Sequence, residues 1–141
     1  MHNSKKLGTI LGGLAIVMLA SAVPAHAEGS WSSSMNGVRT GFDSRTWTDN
    51  NSDNVSTRIA LSGCSNGGTG APVTNTQLQL TRQTAWYQPD ENRGRYTFHC
   101  SSSDANAFGR QPAGNYHFTV TRIQGSTTGF YLSVRSVAVQ Y

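Results

Sequence analysis

The chain has 141 residues, 36% apolar and only 13% charged, with a formal charge of +4, and its length carries one domain with a real core and excludes two. Both lysines, Lys5 and Lys6, stand near the start, so the rest of the chain has nine arginines against seven acids, about +2, and the sequence pI overstates its basicity. A nucleic-acid partner is excluded: the nearest basic cluster, Arg93 and Arg95, is flanked by Asp90 and Glu91 in what reads as a solvated turn, and no basic stripe with interleaved aromatics exists.

Lys5-Lys6, an apolar run from Leu7 to Val23, and Ala25-His26-Ala27 have the layout of a secretory signal peptide. The run is broken by Gly8, Thr9, Gly12, Gly13 and Ser21, and no charged flank follows, which makes it a poor membrane anchor. No cysteine lies near the cut and no twin arginine precedes the run, so a lipid anchor and folded export are not expected. The expectation is cleavage after Ala27, with residues 28–141 secreted and not associated with a membrane.

Beyond Ala27 the chain is rich in Ser, Thr, Asn and Gly, and no window repeats apolar residues at helical spacing. Short alternating runs take its place. Ser30 to Met35 is the first, closed by Asn36-Gly37, a two-residue hairpin signal. Ser44 to Thr48 follows with Trp47 inward, then a polar turn from Asp49 to Asn54.

Val55 to Cys64 is the organising strand, with Val55, Thr57, Ile59 and Leu61 at every second position. Cys64 falls on the opposite parity, so a bulge at Gly63 is predicted to turn its sulfur inward. Ser65 to Asn75 is a Gly-rich loop. Thr76 to Trp86 resumes alternation, with Leu78, Leu80 and Trp86 on one face and Gln77, Gln79 and Gln83 on the other. Pro89 to Gly94 reads as a turn, and Arg95 to Cys100 as a strand with Tyr96, Phe98 and Cys100 on one side.

Ser101 to Ala113 reads as loop with a short helical turn near Asp104 to Phe108. Asn115 to Ile123 is a strand grouping Tyr116, Phe118 and Val120, and Gly125 to Gly129 turns the chain. In the closing run, Phe130, Leu132 and Val134 share one parity and Val137, Val139 and Tyr141 the other, which predicts a bulge at Arg135-Ser136. Seven or eight strands in this length suit a single antiparallel β-sandwich of the all-β class. Two cysteines in an exported chain most simply form one disulfide, Cys64–Cys100, worth roughly 3–4 kcal/mol by loop closure.

The stretch Gln111-Pro-Ala-Gly-Asn-Tyr-His-Phe-Thr-Val120, with the Gly-rich turn and terminal strand after it, resembles the end of the bacterial pre-peptidase C-terminal domain. Leu78-Gln-Leu80 sits where that family has its Leu-x-Leu strand. The family places acidic residues beside that strand, where this chain has Thr76, Gln77 and Gln79, and it is usually appended to a protease, which this chain lacks. The resemblance covers the last third of the chain and one earlier strand. It implies a jelly-roll-like fold and a non-catalytic accessory role, and supplies no active site.

Four constellations could carry chemistry. Gly63-Cys64-Ser65-Asn66-Gly67 matches G-x-S-x-G, but the nucleophile elbow needs a helix after the serine and a Gly-rich loop follows here. Asp90 or Asp104 with His117 has the chain order of a triad, which order alone does not establish. Asp49, Asn51 and Asp53 resemble the first half of a calcium loop; Ala60 stands where an EF-hand needs its acid, and an Asx-rich turn is the plainer reading, even with Asp43 as a distant ligand. His99 and His117, the only histidines beyond the leader, take polar parity and are too few for a transition-metal site.

Trp31, Trp47, Trp86, Tyr87 and Phe108 raise the fourth, an aromatic binding platform, although aromatics in a small β-domain are usually core. Trp86 and Tyr87 are adjacent in an expected strand, so one faces inward and the other is the best contact residue. The functional expectation is an extracellular accessory or binding module, not an enzyme and without a cofactor, that contacts a protein or polysaccharide through Trp86 and Tyr87. The alternative is an inhibitor of an extracellular hydrolase, presenting the loop from Ser65 to Asn75. The sequons at Asn50 and Asn54 matter only in a host that glycosylates them.

Overall fold

The computed structural model describes residues 27–100 and 103–141; the body of the expected signal peptide lies outside them. Eight strands form: β1 (Ser30–Val38), β2 (Trp47–Asp49), β3 (Arg58–Asn66), β4 (Thr76–Gln83), β5 (Glu91–Phe98), β6 (Ser103–Ala107), β7 (Gly114–Ile123) and β8 (Leu132–Gln140). They pair antiparallel in two four-stranded sheets, β1-β8-β3-β6 and β2-β7-β4-β5. That double order, with every successive pair except β4–β5 crossing between sheets, is a jelly roll. Among the described residues there is no helix, and none long and apolar enough to cross a membrane.

The alternating residues meet between the sheets. Ile59, Leu61, Val134, Val137 and Val139 come from one, Leu78, Leu80, Phe98, Tyr116, Phe118 and Val120 from the other, all buried. Cys64 on β3 is disulfide-bonded to Cys100 just beyond β5, with Cα atoms 5.7 Å apart. The bond therefore staples one sheet to the other.

The irregularities expected at Gly63 and at Arg135-Ser136 are one feature. β3 and β8 keep a single register from Arg58↔Gln140 to Asn66↔Leu132. Both switch the face they bury at the same level: Leu61 and Val137 face inward, and so, three residues on, do Cys64 and Val134. Gly63 makes the switch at φ +69, and a Cβ there would lie 2.9 Å from that of Arg135, so only glycine fits. β1 follows with a register shift between Ser33 and Met35.

Several local expectations need correction. Asn36-Gly37 makes no hairpin: β1 continues to Val38 against β8, and the positive φ of Gly37 serves a second register shift. The segment expected to hold a helical turn near Asp104 is strand β6, extended because β3 offers it a free edge from Ser62 to Arg58. β2 begins at Trp47, not Ser44. β4 ends at Gln83, so Trp86 is not on its Leu78–Leu80 face, and the turn precedes β5 at Glu91 instead of spanning Pro89 to Gly94.

The alternation of strand directions sorts the connections into two ends. The start of β1, the end of β8, the 50–57 loop, the 84–90 turn and the 108–113 segment share one end. The disulfide and the 67–75 loop lie at the other.

Candidate functional site

The 84–90 turn is held by its own polar groups. The Gln88 amide donates to the Ala85 carbonyl at 2.8 Å, closing a β-turn with Trp86 and Tyr87 at its two central positions. The Thr84 hydroxyl is 3.0 Å from the Gln88 and Pro89 carbonyls, and the Asp90 carboxylate accepts from the Thr84 amide at 3.0 Å. At these tip positions neither side chain can reach the core: Trp86 is 96% exposed and Tyr87 69%. Their rings meet edge to face at 5.6 Å. The expectation that one would turn inward fails because the pair sits on a turn and not in a strand.

Beneath the turn lies a cleft of about 400 Å³ whose walls include Gln83, Gln88, Glu91 and Asn115. Gln83 and Asn115 face each other across β4 and β7. Gln83 directs Nε2 toward the Thr46 hydroxyl and His117 Nδ1, at 3.4 and 3.5 Å. Asn115 spends Oδ1 on the Thr48 hydroxyl at 2.8 Å. Neither Gln83 Oε1 nor Asn115 Nδ2 has a hydrogen bond among the described residues. Alternation placed Gln83 on the outward face, but nothing in the sequence paired it with Asn115.

The floor is fixed by Arg82, which donates to the Ala113 carbonyl at 2.7 Å and sits 3.4 Å from Glu91; Arg93 approaches the same carboxylate at 3.7 Å. The Pro112-Ala113-Gly114-Asn115-Tyr116 motif has a local structural use, because the Tyr116 hydroxyl donates back to the Pro112 carbonyl. Burial raises the Tyr116 pKa above the usual phenol range.

The other sequence candidates are dispersed. Asp49 Oδ1 accepts from the Asn51 amide at 2.7 Å and Asp53 Oδ1 from the Val55 amide at 2.8 Å, the Asx-turn arrangement. Glu28 joins them by accepting from the Asn50 and Ser52 amides at 2.6 and 2.9 Å, and these bonds, the Ser52 amide first, lower its pKa. Burial raises the Asp49 pKa, the Asn51 amide opposes this, and the nearby Glu28 and Asp53 charges add to it. No group of three His, Cys, Asp or Glu side chains among the described residues is arranged to hold a metal ion.

Ser65 lies near the end of β3, paired with Ser133 and bridged to Pro72, and no helix follows it. His117 stands in the other sheet, 3.7 Å from Asp43. Asp90 closes the 84–90 turn, and Asp104 accepts from the His99 amide at 2.6 Å. His99 Nδ1 lies 3.2 Å from the Thr74 carbonyl oxygen. Of the other three candidate aromatics, Trp47 and Phe108 are buried and Trp31 is partly buried; Phe42, Tyr96 and Tyr131 are exposed to about two-fifths. Comparison with protein-family models, with curated proteins and with solved structures finds no match to this chain.

Proposed function

We propose that this protein is a secreted module that acts by binding rather than catalysis, contacting an extracellular protein or polysaccharide through the Trp86–Tyr87 turn. The observation that carries this reading is the exposure of Trp86 (96%) and Tyr87 (69%) on a turn tied by three side-chain hydrogen bonds. A buried aromatic removes roughly 150–250 Å² from water; here that gain is left for a partner. The tied backbone limits the ordering cost of contact. Secretion rests on the signal-like segment ending at Ala27 and is consistent with a disulfide, which persists in oxidising compartments. The accessory role rests on the pre-peptidase-like stretch from Gln111 to Val120.

The test is affinity capture from the producer's culture medium with the wild-type protein and a Trp86→Ala/Tyr87→Ala variant. The expected result is that every partner held by the wild type is lost by the variant. Equal capture by both would contradict the reading.

A second reading, inhibition of an extracellular hydrolase, is favoured by how firmly the loop after Cys64 is held. Asn66 Oδ1 accepts from the Gly68 and Thr69 amides at 2.8 and 3.2 Å, the Asn66 amide donates to Ala71 at 2.7 Å, and Val73 is buried. Survival of this loop in excess protease, with loss of the protease's activity, would support inhibition. Rapid cleavage within it would count against it.

A further inference from the structure

We infer that the ligand of the Trp86–Tyr87 turn is an uncharged polysaccharide, seated with a sugar ring on the aromatic pair and its hydroxyls in the cleft below. This rests on the reading of the turn as the contact site and adds the chemical class of ligand. Three observations point to it.

The first is the pair of open amide groups. Gln83 offers an unused acceptor, Oε1, and Asn115 an unused donor, Nδ2, on directly opposed residues of β4 and β7. A sugar hydroxyl both donates and accepts, so neighbouring hydroxyls can satisfy the two groups together. The second is charge. Around the cleft Arg82 and Arg93 are matched by Glu91 and Asp90, with both guanidinium groups on Glu91 at 3.4 and 3.7 Å. No net charge is left to attract an ionic ligand.

The third is what surrounds the rings. The centre of a protein interface is depleted in charge and more apolar than its rim. Here the turn carries Gln83, Thr84, Gln88 and Asp90 with only Ala85 and Pro89 as further apolar residues, and the two rings stand perpendicular to each other, so a single ring face is offered in a largely polar setting. That setting suits the C–H-rich face of a pyranose ring with its hydroxyl edge. The polar face also continues beyond the cleft: Gln79 and Thr81 on β4 lie opposite Thr119 and His117 on β7. Those residues are engaged with one another and with Arg95 and Asp43, so the open amide groups are confined to the cleft beside the turn.

The experiment is affinity electrophoresis of the intact exported protein in gels containing hydroxyethylcellulose, galactomannan, xylan or, as the anionic control, polygalacturonate, with depletion on insoluble chitin. The expected result is binding to at least one uncharged polymer, lost in Trp86→Ala/Tyr87→Ala. Gln83→Ala and Asn115→Ala are each expected to weaken it about three- to tenfold, with unchanged melting for Gln83→Ala and a small fall for Asn115→Ala, which also loses its bond to the Thr48 hydroxyl. Binding should change less than about twofold between ~0.05 and ~0.5 M salt.

Binding only to polygalacturonate, collapsing with salt, would overturn the inference. So would binding to none of the polymers; if a protein partner were then captured in a Trp86-dependent way, the glycan class would fail while the turn remained the contact. Polymer binding that survives Trp86→Ala/Tyr87→Ala would overturn the reading of the turn itself.

Discussion

Two groups of aromatic side chains in this sandwich have opposite fates. Trp47 meets Trp31, Tyr116 and Tyr141 at centroid distances of 5.8, 6.2 and 6.0 Å, and Trp31 stacks on Phe118 at 6.2 Å. These rings come from β1, β2, β7 and the C-terminal residue, so the cluster exists only once the sheets are assembled. Trp86 and Tyr87 are sequence neighbours whose contact at 5.6 Å needs nothing from the rest of the fold. Residue type is the same in both groups. Position decides the difference: a strand aimed between sheets makes an aromatic structural, and the centre of a turn leaves it exposed.

The comparison is tested most severely in the interior. Trp47→Ala should cost about 3–5 kcal/mol, read as a large fall in the denaturation midpoint; a loss below about 1 kcal/mol would mean the cluster does not hold the sheets. Next comes the staple at the other end. Cys64→Ala/Cys100→Ala should cost about 2–4 kcal/mol, yet ligand affinity at temperatures where the protein stays folded should not change. A loss of affinity there would couple the two ends and blur the contrast.

Within the turn, Thr84→Ala removes the hydroxyl beside the Gln88 and Pro89 carbonyls. A cost of about 0.5–1.5 kcal/mol is expected, with faster amide exchange confined to residues 85–90. Trp86→Ala should change stability by less than about 0.5 kcal/mol, as for a surface substitution. A larger fall would give Trp86 a structural role after all.

The end bearing the turn also carries a pH signature. Because Asp49 has a raised pKa in the fold, from burial first, the native state holds its proton more tightly than the unfolded chain. Its contribution to stability therefore falls as pH rises from its ordinary value of 3.8 through the raised value. Glu28 runs the other way: its lowered pKa gives stability present above 4.5 and lost as pH falls through the folded value. Asp49→Asn keeps an acceptor for the Asn51 amide and should flatten the first slope, leaving melting at neutral pH equal or higher. Thermal melts of both proteins across pH 3 to 8 read this directly.

Where neighbours along the chain carry the information, the fold is legible in the sequence. Alternation in Ile59–Leu61, Leu78–Leu80 and Tyr116–Val120 marks three central strands, and the broken parity around Gly63 marks a real distortion. β6 is different: Ser-Asp-Ala-Asn-Ala at 103–107 alternates only alanines, which lie exposed, with polar residues, and it is extended because β3 supplies an edge. Asn36-Gly37 misleads for the same reason, since the partner of β1 is β8 at the far end of the chain. At the site, Trp86 and Tyr87 are legible as a pair, but their joint exposure depends on β4 stopping at Gln83. The Gln83–Asn115 pairing is long-range and has no local signal.

The most direct test of the central claim is the ratio of ligand affinities of wild type and Trp86→Ala/Tyr87→Ala, measured on samples whose melting is followed in parallel. A loss of at least about thirtyfold is expected, as for an interface anchor worth about 2 kcal/mol or more, with melting unchanged. Equal affinity in two equally stable proteins would contradict the claim.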